Sequence, residues 1–261
     1  MLLFDTHVHL DDEAFDPDRD DVVDRARQQG VCTLLCVGIS AASSETAVRL
    51  AERYGGVYAA VGIQPNYAIE AGRDDWERIV ALADHPRVVA LGETGLDRHW
   101  DFTPFALQED YFDRHLRLAQ FRGLPLVVHC RDCESDVLRM LGDAAMRGPL
   151  RGVMHAFSGT QETAEACLEM GFFLSFAGMV TYTNKGLRPL RAIAAAVPAD
   201  RLLIETDSPY LVPHPLRGKE KRNEPARLAL TAASLSELRG VAPEQLATET
   251  TANAERLFAI R

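Results

Sequence analysis

The sequence has no hydrophobic run of the length needed to span a bilayer, and its first residues show no basic segment followed by a long apolar one. Low-complexity tracts, linkers and internal sequence repeats are also absent from it. A chain of 261 residues, 47% hydrophobic and 25% charged, has the balance of an ordinary globular protein. We therefore expect one domain over residues 1–261, in a cytoplasmic protein that makes no membrane contact.

Cysteine is scarce and positive charge is in deficit. Five cysteines, an odd number without an export signal, predict reduced thiols rather than a disulfide framework. Cys130 and Cys133 form a C-x-x-C pair in HCRDC, but no second such pair completes a zinc knuckle, so we interpret them as unpaired thiols. The formal net charge of −10 excludes a protein that coats DNA by overall charge, although it leaves room for a local basic patch.

Eight short apolar runs recur along the chain, and amphipathic segments of helical length lie between them. The runs read LLFDTH, CTLLCVGI, VYAAVGI, RVVALGE, LPLVVHC, RGVMHAF, FFLSFAG and RLLIETD. The predicted helices include ETAVRLAERYG, DWERIVALADH, FALQEDYFDRHLRLAQFRG, ETAEACLEMG, EPARLALTAASLSELRG and PEQLATETTANAERLFAI. Near-continuous apolar strands that alternate with helices predict a parallel sheet, and eight such units favour a single (β/α)8 TIM barrel over a doubly wound sheet.

Imidazoles and carboxylates concentrate at the ends of these strands, where a barrel places its active site. Side chains two apart on a strand share a face, so Asp5, His7 and His9 are expected on one side of the first strand. The later strand ends carry Glu93, Asp97, His129, His155, Glu205 and Asp207. The other histidines do not join this set: we expect His85, His115 and His214 at the surface, and His99 lies near the barrel mouth.

The clustered imidazoles point to metal rather than to a polar core. Neighbouring imidazoles can be satisfied by one cation while each ring keeps its other nitrogen for an outer hydrogen-bond partner. Four histidines and two or three carboxylates are too many for one tetrahedral site, but they suit two divalent ions bridged by a carboxylate and a water. Mixed nitrogen and oxygen ligands fit zinc, manganese, iron or magnesium and do not choose among them.

An ordered series of motifs resembles the TatD family of metal-dependent deoxyribonucleases, within the amidohydrolase-like barrels. The motifs are DTHVHLDD, VGIQP, GETGLDRH, VVHCRD, HAFSG and ETDSPYL followed by RGK and NEP, and together they span essentially the whole chain. The resemblance implies a barrel with a binuclear metal centre, dependence on divalent ions, and hydrolysis of phosphodiesters in DNA with 3′ to 5′ exonuclease action. DNA, as 3′ ends or single strands, is then the expected partner, and no protein partner is inferred.

The same resemblance assigns metal ligands at the matching positions. One ion would be held by His7, His9 and Asp207. The second ion would be held by His129 and His155. Glu93 would bridge the two, which agrees with the chemistry of a carboxylate that has two oxygens to share.

Three carboxylates are the catalytic candidates, namely Asp207, Glu93 and Glu205. Asp207 is the expected general base, because it would take the proton of the bridging water. Glu205 and Asp5 lie two residues from a ligand, and we interpret both as outer groups that orient an imidazole or Asp207. We expect two ions, zinc, magnesium or manganese, to lower the pKa of a bridging water so that hydroxide attacks phosphorus.

The chain departs from the family pattern where substrate contacts are expected. Gln64 and Asn66 stand in GIQPN, where members commonly carry a histidine pair, and neither side chain can become cationic. The RGKEKRNEP loop also carries extra residues. The basic candidates for binding the phosphodiester backbone are Arg131, Arg217, Lys219, Lys221 and Arg222, although a solvated charge run is the alternative for the loop.

Two other functions stay open. A metal-dependent ester or amide hydrolase, such as a deacylase of D-aminoacyl-tRNA, would use the same ions on a different bond. A non-catalytic barrel that binds metal or a partner is the second alternative. A side-by-side assay of a labelled oligonucleotide and a D-aminoacyl-tRNA separates the first of these from a nuclease.

Overall fold

The computed structural model describes residues 2–260 and shows a barrel of eight parallel strands alternating with helices. Each strand pairs with the next one along the chain, in the order β1 to β8. The strands are β1 Leu3–Val8, β2 Val31–Val37, β3 Val57–Val61, β4 Val88–Asp97, β5 Leu126–Arg131, β6 Gly152–Met154, β7 Phe173–Phe176 and β8 Leu202–Ile204. The (β/α)8 prediction is confirmed, since each of the eight apolar runs forms the strand expected of it.

The helices lie where the amphipathic segments predict them. They are α1 Arg19–Gln28, α2 Ala41–Arg53, α3 Asp75–Leu82, α4 Phe105–Arg122, α5 Glu134–Ala145, α6 Gln161–Glu169, α7 Arg188–Ala196, α8 Leu228–Arg239 and α9 Pro243–Phe258. Gly123 and Gly240 follow α4 and α8 with φ of 66° and 64°, the left-handed conformation that ends a helix. The start of α2 lies before the predicted segment, because the Ser40 side chain accepts a hydrogen bond from the Ser43 amide and caps the helix there.

Backbone hydrogen bonds join β1 to the segment that follows β8 and so close the barrel. The amide of His9 donates to the carbonyl of Ser208 at 2.9 Å, and the amide of Asp207 donates to the carbonyl of His7 at 2.9 Å. The hydroxyl of Thr6 adds a bond to the carbonyl of Ile204 at 3.0 Å. Closure therefore places the ligand candidates of the first and last strands side by side.

One apolar cluster fills the barrel and closes its lower end. Its members come from all eight strands and from α9: Phe4, Leu35, Val37, Ala60, Ala90, Val127, Val153, Phe173, Leu203, Ala254, Leu257 and Phe258. The rings of Phe4 and Phe258 lie 5.8 Å apart at this end. A larger apolar cluster packs between the strands and the surrounding helices. The carboxyl ends of the strands are therefore the open face at which polar side chains gather.

The expectation that Asp5 shares a face with His7 and His9 is wrong. Phe4 belongs to the cluster inside the barrel, whereas Val8 belongs to the cluster between the strands and the helices. On a regular strand, two side chains four residues apart would lie on the same face. The pairing of β1 with β2 shifts register between Asp5 and Val8, which switches the alternation. As a result, His7 and His9 face the barrel axis while Asp5 faces away from it.

His115 also differs from its prediction, because it is fully buried in α4 instead of exposed. Its Nδ1 donates to the carbonyl of Tyr111 at 2.7 Å, and its Nε2 accepts from the amide of Ile63 at 3.1 Å. Burial lowers the pKa of His115 to about 4, so the ring is neutral. His115 therefore supports the turn after β3, whereas His214 is exposed and His85 partly exposed as expected.

The five cysteines are free, and the Sγ atoms of Cys130 and Cys133 lie 4.0 Å apart. Within residues 2–260, none of the helices combines the length and the apolar character that crossing a membrane requires.

Candidate metal centre

Polar side chains from five strands converge on a cavity of about 750 Å³ at the carboxyl ends of the strands. They come from β1, β4, β5, β6 and the segment after β8, as the positions of His9, Glu93, His129, His155 and Asp207 in the cavity wall show. Most of them are buried.

The second glycine of the GETG motif is required by close packing of the backbone. A side chain at Gly95, where φ is 134°, would collide with the carbonyl oxygen of His129.

The first cluster of possible ligands combines two imidazoles and two carboxylates. The Nε2 atoms of His7 and His9 lie 3.2 Å apart. Glu93 Oε2 lies 3.5 Å and 3.8 Å from these nitrogens, and Asp207 Oδ1 lies 3.7 Å and 3.5 Å from them. Two nitrogens and two oxygens therefore surround one point at distances that a single divalent ion can draw together.

The second cluster lies on the other side of Glu93. His129 Nδ1 and His155 Nε2 are 3.3 Å apart, and they lie 2.8 Å and 3.1 Å from Glu93 Oε1. The rings of His7 and His155 stack at 4.0 Å and connect the clusters. Each oxygen of Glu93 thus faces a different pair of histidines, which is the arrangement required of a bridging carboxylate.

The hydrogen bonds of the rings test whether this donor set fits a metal. His9 Nδ1 lies 3.0 Å from the carbonyl of Val37, which can only accept, so Nδ1 carries the proton and Nε2 is left with a lone pair. His129 Nε2 lies 2.9 Å from Asp97 Oδ2, which in the same way places the proton on Nε2 and leaves the lone pair on Nδ1. Both lone pairs point into their clusters. Histidine and carboxylate donors aimed at a common point fit divalent cations.

The electrostatics favour positive charge in this cavity. Burial raises the pKa of Glu93, but the neighbouring His155, His129 and His7 outweigh it and hold that pKa well below its usual range. Burial lowers the pKa of His9, yet the hydrogen bond and charge of Asp207, with the charge of Glu93, raise it to about 9. The carboxylates thus remain ionised, and they favour a second proton on His9, His129 and His155 at the nitrogens where a cation would compensate them equally well. Burial and the neighbouring His155 instead lower the pKa of His7.

Asp97 is a site residue to which the sequence assigned no role. Its Oδ2 accepts from His129 Nε2 and from Asn66 Nδ2, at 2.9 Å and 3.0 Å, and its Oδ1 accepts from the amides of His99 and Trp100, at 2.8 Å and 3.1 Å. Although burial opposes ionisation, these bonds lower the pKa of Asp97 to about 2. The sequence signal that could have identified Asp97 is its position at the end of β4, the strand that also carries Glu93.

Glu205 and Asp5 support the site in different ways. Glu205 Oε1 accepts from the amide of Ala156 at 2.7 Å and lies 3.4 Å from His155 Nδ1, so it borders an imidazole and not Asp207. Asp5 accepts from the amide and hydroxyl of Thr206 at 2.8 Å and 2.6 Å, and burial raises its pKa to about 8 despite these bonds. The expected orientation of an imidazole by Asp5 is therefore wrong: Asp5 holds the backbone next to Asp207.

Three of the substrate-contact candidates, Gln64, Asn66 and Arg131, line the cavity. Gln64 Oε1 accepts from the amide of Asn66 at 2.7 Å at the start of a short 3-10 helix, Pro65–Glu70. Asn66 is in turn bonded to Asp97. The first two side chains thus have structural partners, and Arg131 is the cationic group of the three.

The basic loop after β8 lies outside the cavity wall as the structure describes it. Arg222 forms an ion pair with Asp18 at 2.6 Å and donates to the carbonyl of Ala14, so phosphate binding would require this pair to break. Arg217 lies over the ring of Tyr182 at 3.9 Å. Lys219 and Lys221 are exposed, and phosphate binding by them stays a prediction.

An eight-stranded barrel with a shared carboxylate between two histidine pairs defines a metal-dependent hydrolase. The chain belongs to the TatD related DNase family, whose model matches residues 4–259. It is 40% identical to the metal-dependent hydrolase YabD of Bacillus subtilis, over 99% of this chain and 100% of the relative. It is also 40% identical to the 3′-5′ ssDNA/RNA exonuclease TatD of Citrobacter rodentium, over 99% and 98%. The crystal structure of YjjV, a TatD homolog from Escherichia coli K12, superimposes with a TM-score of 0.92 at 29% identity, covering 99% and 98%.

Proposed function

We propose that this protein is a divalent-metal-dependent nuclease that hydrolyses phosphodiester bonds of DNA and removes nucleotides from the 3′ ends of single strands. Family membership and the activity named for the Citrobacter relative support the bond and the polymer. The division of the two Glu93 oxygens between the histidine pairs is the observation that carries the chemistry. A cytoplasmic location is part of the proposal and rests on the sequence alone.

We propose two ions, one held by His7, His9 and Asp207 and the other by His129 and His155, with Glu93 between them. Zinc, magnesium and manganese are the candidates, because histidine and carboxylate donors accept all three. When bound, such ions supply Lewis-acid polarisation of a phosphoryl oxygen and acidify water.

The side chains of the protein would supply the remaining steps. Asp207 lines the cavity with its carboxylate ionised, so it can accept the proton of the attacking water. Arg131 at the cavity wall can bind a phosphate of the strand and position the scissile bond.

The test uses metal-depleted protein reloaded with one ion at a time and oligonucleotides labelled at the 5′ or the 3′ end. The expected result is a ladder of products shortened from the 3′ end, in at least one metal-loaded sample. A Glu93→Ala variant prepared in parallel must lose this activity, whereas Glu165→Gln, on the exposed face of α6, must keep it. Equal activity in the Glu93→Ala sample would identify a contaminating nuclease and contradict the proposal.

One observation favours a second candidate, the hydrolysis of an aminoacyl ester on tRNA. Acidic side chains of Asp11, Asp12 and Glu70 line part of the cavity, and an aminoacyl group carries an ammonium that they could bind. Release of the amino acid from D-aminoacyl-tRNA is measured beside the oligonucleotide assay. A kcat/KM for the ester that exceeds that for DNA would replace the nuclease proposal.

A further inference from the structure

Exposed aromatic side chains gather at the mouth of the metal cavity. Eight large apolar or aromatic side chains are exposed within residues 2–260: Leu2, Tyr67, Ile69, Trp100, Phe102, Phe121, Met146 and Tyr210. Four of these line the cavity, namely Tyr67, Trp100, Phe102 and Tyr210. Scattered apolar residues are normal on a surface, but a concentration at one opening indicates a recognition surface.

Trp100 and Phe102 form a stacked pair of rings in this group, which we call the platform. Their rings lie 5.2 Å apart and 8° from parallel, and 45% of Trp100 and 59% of Phe102 is exposed. The guanidinium of Arg131 lies 5.8 Å from the Trp100 ring, and the His99 ring meets it edge-on. A stacked aromatic pair with exposed ring surface therefore lies directly beside a cation at the cavity wall.

The platform is fixed to the metal centre by hydrogen bonds rather than by burial of its rings. Asp97 accepts from the amide of Trp100 through one oxygen and contacts His129 through the other. On the far side of Phe102, the Thr103 hydroxyl donates to the carbonyl of Asn66 at 3.0 Å. The loop that carries both rings is thus held in place while the rings stay open to solvent.

We propose that Trp100 and Phe102 stack unpaired bases of a single-stranded nucleic acid whose end enters the metal cavity. This inference rests on the proposed function and adds the residues that select an unpaired strand. Every base has a π-face, so aromatic stacking binds strands with little dependence on sequence. In a duplex the base faces are covered by neighbouring pairs except at the two ends, so the platform favours an unpaired strand.

The charges of the cavity favour one path for the strand. Asp11 and Asp12 follow β1 and line the cavity. Arg131 lies at the end of β5, across the barrel from β1, on the side of the platform. Phosphates are repelled from Asp11 and Asp12 and attracted to Arg131, so the strand passes over Trp100 and Phe102.

The test compares the parent protein with a Trp100→Ala/Phe102→Ala double variant. The matched control is Phe121→Ala, because Phe121 is exposed on α4 and does not line the cavity. The probes are a single-stranded oligonucleotide and the same strand with tetrahydrofuran abasic units next to its 3′ end, each as DNA and as RNA. Binding is measured by fluorescence anisotropy, and kcat/KM by product release.

The double variant is expected to bind the normal strand about tenfold to a hundredfold more weakly, since stacking is worth that range per base. Binding of the abasic strand should match in all three proteins, and the Phe121→Ala control should behave as the parent. A loss in both DNA and RNA assigns the platform to either polymer, and a loss in one restricts it to that polymer.

Equal binding of normal and abasic strands by the parent protein would overturn the platform, whatever the cleavage rates. If the parent binds the normal strand better but cleaves no oligonucleotide with any metal, the platform stands and the proposed nuclease function fails. If the double variant loses affinity for both strands alike, the rings act without stacking and the inference is wrong.

Discussion

Replacing Asp97 with asparagine tests how the metal ligand His129 is held. The carboxylate of Asp97 accepts four hydrogen bonds, two at each oxygen, and donates none. An asparagine has one accepting oxygen and one donating amide, so in either orientation its NH2 group faces two other donors. Asp97→Asn therefore cannot satisfy the site that Asp97 occupies.

Each orientation of the new side chain has a cost. If its NH2 group faces His129, Nε2 must become the acceptor, and the proton moves to Nδ1, where it points into the second cluster and blocks the ligand position. If the NH2 group faces the amides of His99 and Trp100, the loop carrying Trp100 loses its anchor. Loss of such an outer partner costs about tenfold to a hundredfold in metal affinity. Leaving the buried groups unpaired lowers the free energy of unfolding by about 1–3 kcal/mol.

Metal affinity is measured by competition with a fluorescent chelator, stability by urea denaturation, and the His129 tautomer by ¹⁵N chemical shifts of its ring. Asp132→Asn is the matched control, because Asp132 is an exposed carboxylate that contacts only the ring of His99 among the described hydrogen bonds. The reasoning is refuted if Asp97→Asn keeps the parent affinity at both metal sites and the parent ring shifts.

Four further variants test the metal centre and the basic loop. Glu93→Ala should remove both ions, because its oxygens face both clusters, whereas His155→Ala should deplete mainly one; elemental analysis distinguishes them, and parent stoichiometry in Glu93→Ala would refute the bridge. Asp207→Asn should lower turnover about 10²- to 10⁴-fold under saturating metal, since the amide cannot accept a proton, and near-parent turnover would remove Asp207 as the base. Reversal of Lys219 and Lys221 to glutamate should flatten the salt dependence of single-strand binding by about 0.7 in log–log slope for each phosphate that the loop no longer neutralises, and an unchanged slope would make the loop a solvated surface.

Much of the architecture could be predicted from the chain alone. Apolar runs of strand length alternating with amphipathic segments are a local property of a sequence, and they correctly indicated all eight strands of the barrel. Because parallel strands in a barrel end on one face, the strand-end histidines and carboxylates could be expected to meet there. The structure brings the six ligand candidates into one cavity region, and their assignment to two ions stays a proposal.

The order of the strands and the kind of side chain at the end of each follow from the amino-acid sequence alone. The face, the partners and the burial of each of those side chains depend on how the strands and loops pack. Asp5 turned away from the metal centre because the register of β1 shifts against a neighbouring strand. His115 became buried against the turn after β3, and Arg222 was paired with Asp18, a residue far away in the chain. Register shifts, burial and ion pairs depend on atoms that only folding brings together. The periodicity of the sequence therefore does not predict them.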